Sequence, residues 1–175
     1  MSYLCYVNPI ELNSELEKDF LHNFQTNQNI AHKICRAYTD NEDAHKDLFQ
    51  EITIQLWKAY PKFRGEAKFS TWMYRIALNT AITLYRKKKR SIQTSSMEDF
   101  NFKITDEEYD GEKEEQIKML YKAINQLSDI NKAIILLYLE DKPYKEISQI
   151  LGISEVNARV KVNRSKEQLR KILNP

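Results

Sequence analysis

The chain has 175 residues, of which only 3 are Gly and 4 are Pro, and this length and composition fit one or two small helical domains. Its two cysteines, Cys5 and Cys35, favour a reducing cytoplasm over a disulfide framework, and without a long uncharged apolar run or a signal-peptide pattern we expect no membrane insertion. The net charge of +2 is unevenly distributed: residues 58–90 carry +9 and residues 142–175 carry +5, whereas residues 91–116 carry −7, which indicates two separate contacts with a polyanion.

The first helices are predicted from the spacing of apolar residues. Residues 1–10 show no helical period and are predicted to form a loose arm. From residue 11 to about residue 39 apolar side chains recur every three or four positions, but the polar run 26–29 interrupts them, so two amphipathic helices or one interrupted helix are predicted. Pro61 ends a third helix, which begins in the acidic cluster 39–43 and carries the apolar stripe Leu48, Ile52, Leu56 and Tyr60.

A short basic loop, 61–68, leads into a long helix that is predicted to begin at Ser70 or Thr71. We expect its inward side to consist of Trp72, Ile76, Thr80, Thr83 and Leu84. We expect its outward side to carry Tyr74, Arg75, Leu78, Ile82, Tyr85 and Arg86. Cations interleaved with aromatic rings are typical of single-stranded nucleic-acid binding, because bases stack on rings while cations follow the phosphates. An aromatic residue taken alone is nevertheless more often part of a core.

A change of composition divides the chain into two modules. Residues 91–113 lose all periodicity and are rich in Ser, Asp and Glu, which predicts a flexible acidic linker. Helical spacing returns at residue 117, and Ser128 is the predicted N-cap of an apolar helix over 130–139. The predicted fold class is all-α, with two small helical domains. The predicted divisions are an arm at 1–10, a first module at 11–90, the linker at 91–113 and a second module at 114–175.

A helix-turn-helix is predicted near the C-terminus. A short helix that ends at Leu151 is followed by Gly152, which suits a left-handed backbone, and Ser154 can cap the next helix. The inner face of that last helix is predicted to be Ala158, Val162, Ser165 and Leu169. Amide, guanidinium and small apolar groups can read base edges in the major groove. We therefore predict that DNA is contacted by the opposite face and its flanks, from Val156, Asn157, Arg159, Val160, Lys161, Asn163 and Arg164.

Three motifs in order carry a resemblance to a known family. They are Asp47-Leu48-Phe49-Gln50-Glu51-Ile52 with Leu56-Trp57, the run from Phe63 to Asn79, and the C-terminal run from Leu127 to Leu173. With these motifs the chain resembles the extracytoplasmic-function sigma factors of bacterial RNA polymerase, from about residue 15 to residue 173 except in the linker. In that family the first motif docks on the clamp of the largest polymerase subunit, the second reads the −10 promoter element and opens the strands, and the third binds the −35 element.

The resemblance implies that the chain brings core RNA polymerase to specific promoters. It implies polymerase contacts from Asp47, Gln50, Glu51 and Trp57. It implies −10 contacts from Phe63, Arg64, Lys68, Arg75, Asn79 and Arg86, of which Phe63 and Asn79 match family positions at the −10 bases. It also implies an anti-sigma factor as a partner. The recognition helix carries Asn157-Ala158-Arg159 where the family often has a Thr-Val pair before its cation, so the family's −35 base preference is not carried over.

Two other functions remain alternatives. A transcription regulator that binds duplex DNA without polymerase would need only the second module, and the aromatic and cationic first module argues against it. An enzyme is suggested by Asp43, Asp47 and Glu51, which recur every four residues, but no Glu-x-x-His motif accompanies them. His32 and Cys35 lie three residues apart with no second pair to complete a zinc site. We therefore predict a protein without catalytic residues, metal or cofactor.

Overall fold

The computed structural model describes residues 9–92 and 111–174, with side chains described for 14–90 and 115–174. Helices account for most of these ranges, and no β-strand occurs within them. In chain order the helices are α1 (Pro9–Tyr38), α2 (Glu42–Ala59), a 3₁₀-helical turn (Tyr60–Lys62), α3 (Phe69–Ile92), α4 (Gly111–Asn125), α5 (Asp129–Leu139), α6 (Tyr144–Leu151) and α7 (Glu155–Leu173). None of the helices in the described ranges is long and apolar enough to cross a membrane. Most of the predicted linker lies outside the described residues.

The first module consists of α1, α2 and α3, which pack against one another. The predicted apolar stripe of α2 is confirmed, because Leu48, Ile52, Leu56 and Tyr60 are all buried. The helix begins at a proper cap: the Asn41 side-chain oxygen accepts a hydrogen bond from the Ala44 backbone N–H at 2.8 Å. Pro61 lies in the 3₁₀ turn that follows α2, so the predicted end of this helix is also confirmed.

α1 continues without a break through the polar run 26–29, so the prediction of two helices or an interrupted helix is wrong. Two polar side chains of this run bond within the helix instead of ending it. The Thr26 hydroxyl and the Asn27 amide each donate to the backbone carbonyl four residues earlier, at 2.9 and 2.8 Å. The helix also begins earlier than the predicted arm allows, at Pro9, a residue that the first helical turn tolerates.

The predicted orientation of α3 is confirmed in part and wrong in part. As expected, Trp72 and Ile76 pack against the core, and Arg75 and Arg86 are exposed. Thr83 and Leu84 were expected inside and are exposed, whereas Tyr74, Leu78 and Ile82 were expected outside and are buried. The physical reason is that α3 is covered on more than one side, because α1 and α2 pack against it and so do α5 and α6 of the second module. The helix side with Tyr74, Leu78 and Ile82 is therefore buried, and solvent reaches Thr83 and Leu84 instead.

The second module consists of α4 to α7, and α5 is its central element. Residues 132–137 of α5 are all buried. α7 packs against α5 and α6 through its predicted inner face, which is confirmed by the burial of Ala158, Val162, Ser165 and Leu169. Ser128 occupies the predicted N-cap position of α5, but its side chain makes no capping hydrogen bond. The predicted fold class, all-α with two helical modules and a C-terminal helix-turn-helix, is confirmed.

Candidate nucleic-acid interface

The turn between α6 and α7 has the geometry of a helix-turn-helix. Gly152 adopts the left-handed conformation, with φ 66° and ψ 35°, and its N–H donates to the carbonyl of Ser148. The N–H of Ile153 donates to the same carbonyl at 3.1 Å. The Ser154 hydroxyl oxygen then accepts from the backbone N–H of Asn157 at 3.2 Å and caps α7. The predicted turn chemistry is confirmed, and it sets the direction in which α7 leaves α6.

The side of α7 opposite its buried face is open to solvent. Val156 is 75% exposed and Val160, one turn later, is 41% exposed, so the two valines form a small apolar patch among the polar side chains of this side. The structure brings together on this surface all seven residues that the sequence analysis selected, with six exposed and Lys161 half-buried. We call this surface the α7 outer face; it consists of Val156, Asn157, Arg159, Val160, Lys161, Asn163 and Arg164.

Arg159 has weak contacts at the edge of the α7 outer face. A guanidinium nitrogen lies 3.9 Å from the Glu155 carboxylate, and the guanidinium carbon lies 5.1 Å from the centre of the Tyr144 ring. Exposed contacts of this kind contribute little free energy, so Arg159 can exchange them for a phosphate or a base. Tyr144 was missed by the sequence analysis. Its position at the start of α6, beside the turn, was the available signal.

The loop between α2 and α3 forms an open cleft of about 670 Å³. The half-buried Phe63 ring packs against the rings of Trp72 and Phe69, with centroid distances of 5.0 and 5.7 Å. Cations lie around this aromatic floor, which suits an unstacked base together with its phosphate. The cleft is lined by Pro61, Lys62, Phe63, Arg64, Glu66, Ala67, Trp72 and Arg75.

The residues selected for −10 contacts fall into two groups. Phe63, Arg64 and Arg75 line the cleft, and the exposed Lys68 and Asn79 lie on the loop and one helical turn beyond Arg75. Arg86 lies about 16 Å further along α3 than Arg75, given the rise of a helix. Its guanidinium is paired with the carboxylate of Asp129 in the second module. Arg86 therefore does not belong to the cleft.

The residues selected for polymerase docking share one side of α2, and three of the four are exposed. Asp47 and Gln50 are exposed, and Trp57 is 36% exposed while its ring packs against Phe20 at a centroid distance of 5.1 Å. Glu51 is half-buried at the edge of this surface, and its carboxylate accepts a hydrogen bond from the Gln55 amide at 2.7 Å. Ile54, which was not among the predicted docking residues, is 37% exposed between Gln50 and Trp57.

The candidates for a metal or catalytic centre do not converge. Asp43 and Asp47 are exposed on α2, and no three His, Cys, Asp or Glu side chains in the described part of the chain could hold a metal ion together. Cys35 is fully buried, and burial raises the pKa of its thiol to about 12, so it is a poor nucleophile. His32 pairs with His45 instead, with Nδ1 and Nε2 3.1 Å apart.

Two regions of the chain match known protein families. Sigma-70 region 2 matches residues 24–91, which lie in the first module and include the cleft. Sigma-70 region 4 matches residues 117–169, which lie in the second module and include the helix-turn-helix. The two regions occur in the order that the sequence analysis expected.

Individual proteins are similar over most of the chain. The extracytoplasmic-function sigma-E factor of Escherichia coli K12 is 30% identical over 134 residues, which cover 70% of this chain and 70% of that protein. The sigma-E factor of Haemophilus influenzae is 26% identical over 85% of this chain and 84% of its own length. Sigma factor SigZ of Bacillus subtilis is 28% identical over 82% of this chain and 78% of its own length.

Solved structures share the fold. The sigma factor RpoE of Bartonella quintana, in complex with the anti-sigma factor NepR, has a TM-score of 0.75 at 21% identity and covers 89% of this chain and 97% of its own. CnrH, in complex with the cytosolic domain of CnrY, has a TM-score of 0.65 at 18% identity and covers 90% of this chain and 89% of its own. With both sigma regions matched in order and a relative at 30% identity over most of its length, the chain belongs to the extracytoplasmic-function sigma factors, which direct core RNA polymerase to promoters.

Proposed function

We propose that the α7 outer face reads the −35 duplex, and that the α2–α3 cleft with the adjoining part of α3 captures the −10 bases. The observation that carries this proposal is the difference between the two basic surfaces. The α7 outer face is an exposed helix with amides, guanidinium groups and small aliphatic side chains, which suits the major groove. The cleft has an aromatic floor and cations around it, which suits bases that have left the stack.

Different groups of the α7 outer face have different roles. Arg159 and Arg164 provide long cationic side chains that reach guanine edges or phosphates. Asn157 and Asn163 provide amides, which pair with adenine edges. Val156 and the neighbouring Val160 are suited to the methyl group of thymine. Lys161, which is half-buried at the flank, reaches the phosphate backbone.

The cleft acts after the −35 contacts are made. Phe63 receives an unstacked base, while Arg64, Lys68 and Arg75 hold the phosphates of the same strand. Asn79 extends this surface along α3 by one turn. Because these contacts form only with unstacked bases, their binding energy favours opening of the duplex. Arg86 joins them once it is released from Asp129.

The first module also carries the surface that we assign to polymerase docking. The surface of α2 formed by Asp47, Gln50 and Trp57, with Glu51 at its edge, docks on the clamp of the largest polymerase subunit. By analogy with the two solved complexes, an anti-sigma factor binds this chain as well. The protein acts in the cytoplasm by binding rather than by catalysis. We assign residues 11–90 to polymerase docking, −10 recognition and strand opening, 91–113 to a linker and 114–175 to −35 recognition.

The proposal is tested by run-off transcription with bacterial core polymerase on fragments upstream of the chain's own gene. A transcript that requires the protein is expected, and it maps the promoter. Arg164→Ala should reduce this transcript severalfold, because a cation that faces the DNA is lost. Arg170→Ala removes an exposed cation from the same helix, outside the α7 outer face, and should leave transcription unchanged.

Two results would contradict the proposal. Equal transcription by wild type, Arg159→Ala and Arg164→Ala would remove α7 from −35 recognition. DNA binding by the protein alone, with no transcript from any fragment, would favour a regulator that acts without polymerase.

A further inference from the structure

The second module contacts an apolar stripe on α3. Tyr74, Leu78, Ile82 and Tyr85 follow one another at helical spacing and share one face. At its two ends this face contacts the second module: Lys142 Nζ lies 5.5 Å from the centre of the Tyr74 ring, and Lys132 Nζ lies 4.4 Å from that of Tyr85. Leu78 and Ile82 lie between these points and are 1% and 7% exposed.

Polar contacts between the modules surround this stripe. The Lys33 ammonium of α1 pairs with the Glu140 carboxylate at the end of α5, at 2.6 Å. The Thr71 hydroxyl of α3 donates to the Glu146 carboxylate of α6 at 2.7 Å. These pairs use α1 and α3 of the first module and α5 and α6 of the second, so they define one relative placement of the modules.

Asp129, the first residue of α5, makes two contacts with the first module. Its carboxylate pairs with the guanidinium of Arg86, and its backbone carbonyl accepts a hydrogen bond from the Tyr38 hydroxyl at 2.5 Å. The Asp129 side chain is only 20% exposed. A charge-assisted hydrogen bond in this setting is stronger than one between fully exposed groups.

Lys132 lies one turn after Asp129, and its burial depends on the first module. Its side chain is 2% exposed, and its ammonium lies against the rings of Tyr38 and Tyr85 at 5.4 and 4.4 Å from their centres. Both rings belong to the first module. Separation of the modules would therefore return this ammonium to water, and would expose the apolar stripe of α3 at the same time.

We propose that these contacts hold the free chain in a closed state in which Asp129 acts as a latch, and that the latch must open before the Arg86 end of α3 can bind −10 DNA. This gating role rests on the proposed function of Arg86. While Arg86 pairs with Asp129, that carboxylate competes with a phosphate for its guanidinium, whereas the α7 outer face stays open to duplex DNA. A contact between domains with this many polar pairs opens readily when a larger partner competes for it.

The closed state is tested by the distance between spin labels in the full-length chain. Lys58→Cys on α2 and Glu167→Cys on α7 place labels at exposed positions of the two modules, in a Cys5→Ser background. Cys35 stays unlabelled, because it is fully buried and burial raises the pKa of its thiol to about 12. A single short distance is expected for the free protein, and a longer one after addition of core polymerase. A broad distribution in the free protein would overturn the closed state.

The latch is tested by Asp129→Asn, which removes the charge but retains the size and the backbone carbonyl. The ratio of closed to open chains should fall about two- to fivefold, as expected for loss of a partly exposed ion pair. Asp141→Asn is the matched control, because Asp141 is exposed in the same module and its φ of 52° is one that Asn readily adopts. Equal distance distributions for the two variants would overturn the role of Asp129.

The gating role is tested by run-off transcription at limiting protein. Asp129→Asn should give a higher initial rate than wild type, and Asp141→Asn should not. An open chain with an unchanged rate would overturn the gate. Failure of the proposed function is distinguishable from failure of the latch, because it abolishes transcription by every variant while the spin-label distances still report whether Asp129 holds the modules together.

Discussion

α7 and α3 both carry cations beside apolar side chains, but only on α7 are those apolar side chains exposed to solvent. On α7 the exposed positions include Val156 at 75% and Val160 at 41%, whereas on α3 Leu78 and Ile82 are almost completely buried. The pattern of a helix shows which residues share a face. Whether that face binds DNA or another module depends on what lies across from it.

α3 is covered and α7 is not because the two faces differ in the apolar area that they can bury. The α3 stripe contains two tyrosines, a leucine and an isoleucine, and full burial of a large apolar side chain contributes about 1.5–3 kcal/mol. The α7 outer face contains two valines among amides and cations, so little free energy is gained when another module covers it. α3 therefore acquires a cover within the chain, and α7 remains available to DNA.

The largest effect is expected at the contact between the modules. Lys132→Met should raise the free energy of unfolding at pH 7 by about 2–4 kcal/mol, because a buried ammonium is replaced by an apolar side chain of similar size. Burial lowers the pKa of Lys132 to about 8, although the charges of Asp129 and Asp40 oppose this shift. The folded state thus favours the neutral amine, and wild-type stability should rise as the pH increases from about 8 to 10.5.

Thermal unfolding at pH 7 and pH 10 checks this prediction, since the advantage of Lys132→Met should shrink at the higher pH. Lys145→Met, at an exposed position of α6, is the control and should change stability little. A loss of stability in Lys132→Met would mean that the ring contacts and the hydrogen bond to Asn125, at 3.3 Å, outweigh the cost of burial.

A smaller effect is expected from removing single cations of α7, the helix that is open to solvent. Arg159→Ala and Arg164→Ala should each weaken binding to the −35 duplex by about 1–3 kcal/mol. Because the α7 outer face is exposed in the closed state, the same losses are expected in an Asp129→Asn background. Fluorescence anisotropy with a duplex from the mapped promoter measures the loss of affinity in the wild-type and the Asp129→Asn backgrounds. Losses that depend on Asp129 would show that α7 is also controlled by the contact between the modules.

Two glycines allow the same substitution to be made in each module. Gly152 and Gly65 have φ of 66° and 70°, and an added Cβ would meet no atom within 4 Å at either site. Alanine should therefore cost about 1 kcal/mol at each position through backbone strain alone. Both tryptophans, Trp57 and Trp72, lie in the first module, so their fluorescence in urea reports that module, whereas circular dichroism reports both.

Gly65→Ala should shift the fluorescence transition, and Gly152→Ala should shift mainly the circular dichroism transition. Identical shifts of both signals for both variants would show that the two modules unfold as one cooperative unit.

The smallest effect concerns acid pH and the first module, which contains all three histidines. Partial burial lowers the pKa of His45, and the positive charges of His32 and Arg36 lower it further. The folded state therefore favours neutral His45, so stability is complete above about pH 6.5 and should decline as the pH falls through that value. The tryptophan-detected Tm should drop by about 2–4 °C between pH 7.5 and 5.5.

His45→Gln should abolish most of this decline, whereas His22→Gln, at an exposed position of α1, should leave it in place. An equal decline in both variants would assign the acid sensitivity to other groups.

The sequence by itself determined the local features of the second module. The left-handed turn at Gly152, the cap at Ser154 and the buried line through Ala158 and Val162 all depend on residues within one or two helical turns. The apolar stripe of α2 was predictable for the same reason. The joint occurrence of the two modules identified the family, because each motif lies at a characteristic place along the chain.

Only the tertiary structure decided which apolar faces are covered and by what. Periodicity could not show that Tyr74, Leu78 and Ile82 meet a second module, because helical spacing records that a face is apolar and not which partner packs on it. The pairing of Arg86 with Asp129 joins residues 43 positions apart, and no local pattern encodes it. Contacts between distant segments depend on how the two modules meet, so they become visible only in three dimensions.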